Sequence, residues 1–132
     1  MNVFATIRAE RDCGVVHVGS SDLSTLPEVA RAFRLGYDDA LYREVDLDTA
    51  RGVLVDLLHR DLAYRTEIIT ESRAAELAET FLTQTARHGA RYFTNRGRSP
   101  NEWNPATAAT FDLGVLVVSP SGSACLWVED ED

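Results

Sequence analysis

No lysine occurs among the 132 residues, and all 13 basic side chains are arginine. That absence removes chemistries that need a side-chain primary amine: Schiff bases, pyridoxal-phosphate linkage, the P-loop lysine and nuclease motifs ending in lysine. Soft metal ligands are almost as scarce. The two cysteines and three histidines form no CxxC, HxH or HExxH pattern, so no structural zinc is expected. Cys13 and His17 stand four apart, which on a strand separates them by about 13 Å. Both cysteines read as small core residues of a reducing compartment, with a Cys13–Cys125 disulfide left open. No GxSxG elbow exists, and residues 119–122, Ser-Pro-Ser-Gly, read as a hairpin turn. No metal and no cofactor are expected.

Long apolar runs are missing too. The best, residues 113–118, is interrupted by Gly114 and falls far short of the roughly 20 residues that span a bilayer. Residues 1–10 contain no apolar signal core behind a basic end, so the expectation is a cytoplasmic protein without membrane contact. Neither an internal repeat nor a low-complexity linker divides the chain. A chain of this length buries about two-thirds of its unfolded surface around one core. The expected organisation is one globular domain over residues 1–128 and an acidic tail over 129–132.

What is present is charge, unevenly placed. Twenty-one acidic groups against 13 arginines give a net charge of -8. Half of it comes from Glu129, Asp130, Glu131 and Asp132. A second acidic stretch, residues 38–48, holds Asp38, Asp39, Glu44, Asp46 and Asp48 against Arg43 alone. Residues 85–100 have the opposite sign, with Arg87, Arg91, Arg96, Arg98 and His88 and no carboxylate. An acidic surface repels phosphates and anionic lipid, which disfavours nucleic acid and membranes as partners and favours a basic protein.

The periodicity predicts an α+β fold in which a mostly antiparallel sheet with β-hairpins at both ends carries about three helices on one face. Val3, Ala5 and Ile7 alternate, then Asp12-Cys13-Gly14 turns into residues 15–18, a hairpin pattern. Thr25 and Glu28 stand at capping-box spacing with Pro27 in the first turn of a helix that stops at Gly36. Residues 40–45 read as a strand. Asp48 then caps a helix with Ala50, Val53, Leu54, Leu57 and Leu58 on one face. Residues 62–68 read as a short strand or a link. The clearest helix begins at Ser72, buries Ala74, Leu77, Ala78, Phe81, Leu82 and Ala86, and ends at His88 and Gly89. A strand over 90–94, a polar loop carrying Trp103, and a hairpin over 113–128 complete the chain.

No catalytic pattern selects a residue. The carboxylate pairs Glu67/Glu71 and Asp56/Asp61 have nothing to distinguish them, and Gly19-Ser20-Ser21-Asp22 is a weak anion loop. The leading expectation is therefore a non-enzymatic binding protein. Its concrete form is a cytoplasmic, bacterial immunity or antitoxin-type inhibitor that neutralises a basic toxin with carboxylates and aromatic rings. The contact residues expected are Asp38, Asp39, Tyr42, Glu44, Asp46, Trp103, Glu129 and Asp130. Two rivals stand beside it. One is a small enzyme holding a substrate phosphate through Arg91, Arg96 or Arg98. The other is a homo-oligomeric assembly component that pairs the basic zone of one subunit with the acidic tail of another.

Overall fold

The computed structural model describes residues 2–99 and 101–132. Its first element is a helix where the alternation of Val3, Ala5 and Ile7 predicts a strand. The Asn2 side chain accepts the Ala5 N–H at 3.2 Å and starts α1 (Val3–Glu10). Val3 and Ile7 satisfy a period of four as well as a period of two, and packing decides between them. Both are fully buried, and Phe4 packs its ring against Phe81, 6.1 Å between centroids. The turn at Gly14, with φ 65°, then leads into β1 (Val15–Ser21), so Gly19, Ser20 and Ser21 belong to a strand and not to a loop.

Helix α2 (Leu26–Ala32) follows Thr25, whose hydroxyl donates to the Glu28 carboxylate at 2.6 Å and does not cap a backbone N–H. Residues 40–45 are only half strand. The Asp38 carboxylate accepts the Ala40 N–H at 2.9 Å and winds Asp39–Leu41 into a 3-10 turn, which leaves β2 (Arg43–Val45). Asp46, two residues earlier than expected, caps α3 (Leu47–His59) by accepting the Thr49 N–H at 2.8 Å. The expected buried face of α3 is the observed one. Residues 61–69 contain no named strand, only an isolated bridge between Arg60 and Glu67. Helix α4 (Glu71–Thr85) starts from a Thr70 cap and buries Thr85 where Ala86 was expected. The remaining elements are β3 (Arg91–Thr94), β4 (Phe111–Ser119) and β5 (Gly122–Asp130).

The five strands form one sheet in the order β1-β5-β4-β3-β2, every neighbouring pair antiparallel. The fold is α+β, with one terminal hairpin, β4–β5, where two were expected. Leu113, Val115, Val117, Ala124, Leu126 and Val128 pack with the buried residues of α1, α3 and α4. Alternate positions, Leu116, Val118, Cys125 and Trp127, pack with Val29 and Ala30 of α2. Three helices thus share one face, but α1 stands among them where α2 was expected, and α2 covers the other face. Covering both faces explains why β4 and β5 read as continuous apolar runs. A fully buried Leu or Phe contributes about 1.5–3 kcal/mol of transfer free energy, so this doubly covered centre carries much of the stability. Both cysteines are free thiols, Cys125 buried beside the His17 carbonyl and Cys13 half-buried.

Two details matter later. Strand β5 runs through Asp130, so the domain does not stop at residue 128. Asp130 is 2% exposed and accepts two hydrogen bonds from the equally buried Arg11, at 2.8 and 3.1 Å. Gly52, in the middle of α3, has nothing within 4 Å of where a Cβ would stand. Glycine in a helix interior costs roughly 1 kcal/mol relative to alanine. Gly52→Ala should therefore stabilise the fold by about 0.5–1 kcal/mol, read as a higher urea midpoint with unchanged slope.

Candidate functional site

The acidic stretch occupies the 3-10 turn, β2 and the start of α3, and all five of its carboxylate residues are exposed. Their partners divide them. Glu44 binds Arg91 through two hydrogen bonds, at 2.6 and 3.1 Å, and Asp48 binds Arg51 at 2.6 Å. Asp38, Asp39 and Asp46 meet no cation among the described residues. The Arg43 guanidinium is turned away to the carbonyls of Arg96 and Gly97, at 3.2 and 2.9 Å. Tyr37, 58% exposed, and Leu47, 40% exposed, stand at the two ends of the stretch. The Arg31 guanidinium lies 4.3 Å from the Tyr37 ring centroid. The result is a negatively charged strip with an apolar anchor at each end.

The other expected contact residues are engaged internally. The Tyr42 hydroxyl donates to the Gly36 carbonyl and its ring meets Trp127 edge-on at 5.8 Å; burial pushes the phenol well above its ordinary range. Glu129 pairs with the His17 ring across the β1–β5 ladder, at 22% exposure. Asp130 is buried on Arg11 because α1 and β5 enclose it, a burial that an acidic run at residues 129–132 conceals. Trp103 is half-buried against Phe111, 5.5 Å between centroids, and is not among the exposed apolar residues. Leu47 was missed because a leucine at the start of an amphipathic helix reads as core.

A second feature assembles residues from four segments. A cleft of about 450 Å³ is lined by Asp56 of α3, Arg65 of the following loop, Arg96 and Trp103 of the 95–105 loop, and Phe111 of β4. Arg65 and Arg96 share the Asp56 carboxylate. Arg91 and Arg96 therefore answer to different carboxylates and do not converge on one anion. Asp61, nominated with Asp56 as an acid/base pair, instead accepts the backbone N–H groups of Tyr64 and Thr66 at 2.8 and 2.6 Å. Among the described residues no group of three or more His, Cys, Asp or Glu side chains is placed to hold a metal. No described helix is long and apolar enough to cross a membrane.

Five carboxyls titrate below their ordinary values. Hydrogen bonds from Arg73, Arg91 and Thr49 lower Glu10, Glu44 and Asp46. At Asp56 and Asp61 burial is the largest single influence and pushes upward. It is outweighed at Asp56 by Arg65 and Arg96 together, and at Asp61 by backbone N–H donors with Arg11. Groups lowered on folding contribute stability above the ordinary carboxyl range, and lose it as pH falls below about 4. Asp112 is raised, chiefly by burial, and acts in the other direction. Five against one, the urea midpoint should drop between pH 6 and pH 3; a midpoint that rose on acidification would mean that Asp112 dominates.

Comparison of the chain with family models, with curated proteins and with solved structures finds no match.

Proposed function

We propose that this protein is a non-enzymatic binding module whose acidic strip engages a basic protein. The observation that carries this reading is the strip itself: Asp38, Asp39 and Asp46, which meet no cation among the described residues, flanked by exposed Tyr37 and Leu47. Unpaired carboxylates raise the association rate with a cationic partner, and apolar anchors supply the buried area that slows dissociation. A concrete partner is a basic toxin, such as a nuclease. An immunity or antitoxin-type inhibitor would set its carboxylates where the toxin binds substrate phosphates.

The rivals draw less support. Glu44 neutralises Arg91, and Asp56 neutralises part of the Arg65 and Arg96 pair. An oligomer held by the tail has lost Glu129 and Asp130 to His17 and Arg11 of the same chain.

Affinity capture from the native cell identifies the partner, and association kinetics then test the mechanism. Asp38→Lys with Asp39→Lys should slow association by about tenfold or more at low salt, with the difference shrinking as salt rises. Tyr37→Ala should act chiefly on dissociation. An association rate indifferent to both charge reversal and salt would overturn the electrostatic reading.

A further inference from the structure

The cleft at the start of β4 has the composition of a small-ligand site. On one wall the Asp56 carboxylate, near the C-terminal end of α3, accepts Arg96 Nη2 at 2.5 Å on one oxygen and Arg65 Nη2 on the other. Two guanidinium groups on one carboxylate leave one positive charge in excess. A guanidinium carries five N–H donors. Neither side chain makes another hydrogen bond among the described residues, so most of those donors are unspent. The Arg65 backbone has φ 60°, a conformation usually left to glycine or asparagine. Beside these groups the lining is aromatic, and Trp103 is paired with Arg96 across an isolated antiparallel bridge. Trp103 and Phe111 pack at 5.5 Å with 35° between their planes, and the Trp103 indole N–H meets no acceptor among the described residues. Two further carboxylate residues line the cleft. Glu102 lies over Gly97, and Asp112 turns its oxygens to Trp127, Asn95, Ala106 and Thr107.

We propose that this cleft binds a small aryl or heteroaryl carboxylate. The ligand's carboxylate takes the free N–H donors of Arg65 and Arg96, and its ring lies against Trp103 and Phe111. Planar, bidentate pairing is the geometry guanidinium offers a carboxylate. The volume, about 450 Å³, lies within the range of small-molecule pockets. A monoanion balances the single excess charge of the Asp56–Arg65–Arg96 cluster, and a phosphate dianion exceeds it; Glu102 adds a further negative charge to the lining and weighs against the dianion more heavily. The site uses none of Asp38, Asp39 or Asp46, so it stands or falls apart from the acidic strip.

The test is an NMR titration of the ¹⁵N-labelled chain with three probes: indole-3-carboxylate, indole and inorganic phosphate. The expected result is that indole-3-carboxylate binds with a dissociation constant of about 1 mM or below and shifts the Trp103 Nε1–H resonance, with that of Trp127 unmoved. Indole and phosphate, each lacking one half of the pairing, should bind at least about tenfold more weakly. Arg65→Gln, at a half-exposed position, should weaken the carboxylate by about tenfold and leave the rest of the spectrum in place. No shift of the Trp103 resonance up to about 10 mM, or equal binding of all three probes, overturns the proposal without recourse to any variant. Unchanged affinity in Arg65→Gln overturns it as well.

Discussion

Replacing Arg11 by methionine is expected to cost about 3–5 kcal/mol of stability and to lower Tm by roughly 10–20 °C. Arg11 is 1% exposed and lies between α1, α3 and the end of β5. Its Nε donates to the Leu57 carbonyl at 2.7 Å, Nη1 to the Cys13 carbonyl at 2.7 Å, and both terminal nitrogens to Asp130. Asp130 also accepts the Leu62 N–H at 2.8 Å. Methionine keeps the stem but leaves a buried carboxylate with only the Leu62 N–H and the weak Cys13 thiol as donors, and two carbonyls with none. Breaking a buried pair from one side is costly because the surviving charge stays desolvated. The double variant Arg11→Met, Asp130→Leu removes both charges and should recover part of the loss. Deleting residues 129–132 should destabilise the fold as well, since it strands the guanidinium. A Tm within about 2 °C of the parent for Arg11→Met would show that the pair contributes little, the result common for exposed ion pairs.

Asp112→Asn is expected to cost about 2–4 kcal/mol, although it changes no more than one oxygen to an NH₂ group. Five donor groups converge on the two carboxylate oxygens: the Asn95 amide at 2.8 Å, the Trp127 indole at 3.0 Å, the Thr107 hydroxyl at 3.1 Å, and the N–H groups of Ala106 and Thr107 at 3.2 and 3.3 Å. An asparagine amide accepts on one side only. Whichever way it turns, its NH₂ faces fixed donors, and backbone N–H groups cannot reverse to accept. Strand β4 leaves no room for adjustment, since a Cβ at Gly114 would already stand 2.4 Å from the Trp127 ring. Urea unfolding measures the loss, and the near-ultraviolet signal of Trp127 reports the disturbed packing. Equal stability of Asp112→Asn and the parent would mean that this carboxylate is already protonated and donating at neutral pH.

Residues whose neighbours in the sequence are also their neighbours in space were legible. The buried faces of α3 and α4 follow from helical spacing, and the β4–β5 hairpin from two apolar runs around Ser-Pro-Ser-Gly. The first helix was not, because Val3 and Ile7 fit two periods and the choice rests on contacts with α4. Asp130 was misread for a related reason. It looks solvated within Glu129-Asp130-Glu131-Asp132, yet its partner lies 119 positions away. Half of the acidic strip was visible as composition. Which carboxylates stay free was not, since that depends on where Arg91, Arg43 and Arg51 reach. The cleft was hidden altogether, because Asp56, Arg65, Trp103 and Phe111 meet only after the connections from α3 to α4 and from β3 to β4 are in place.

The strand order β1-β5-β4-β3-β2 also constrains how the chain folds. Strands β1 and β3 each take their ladder from β5 or β4, and β2 reaches the sheet only through β3. The hairpin of residues 111–130 is therefore the template on which strands from much earlier in the sequence assemble. Until it exists, β1 has no partner, although it precedes the hairpin by some ninety positions. Loop closure over such separations is slow, so the rate-limiting step should be the capture of β1 by β5. During synthesis, helices α3 and α4 can pair early, but the sheet must wait for residue 130, with Arg11 and Asp130 fastening the two ends last.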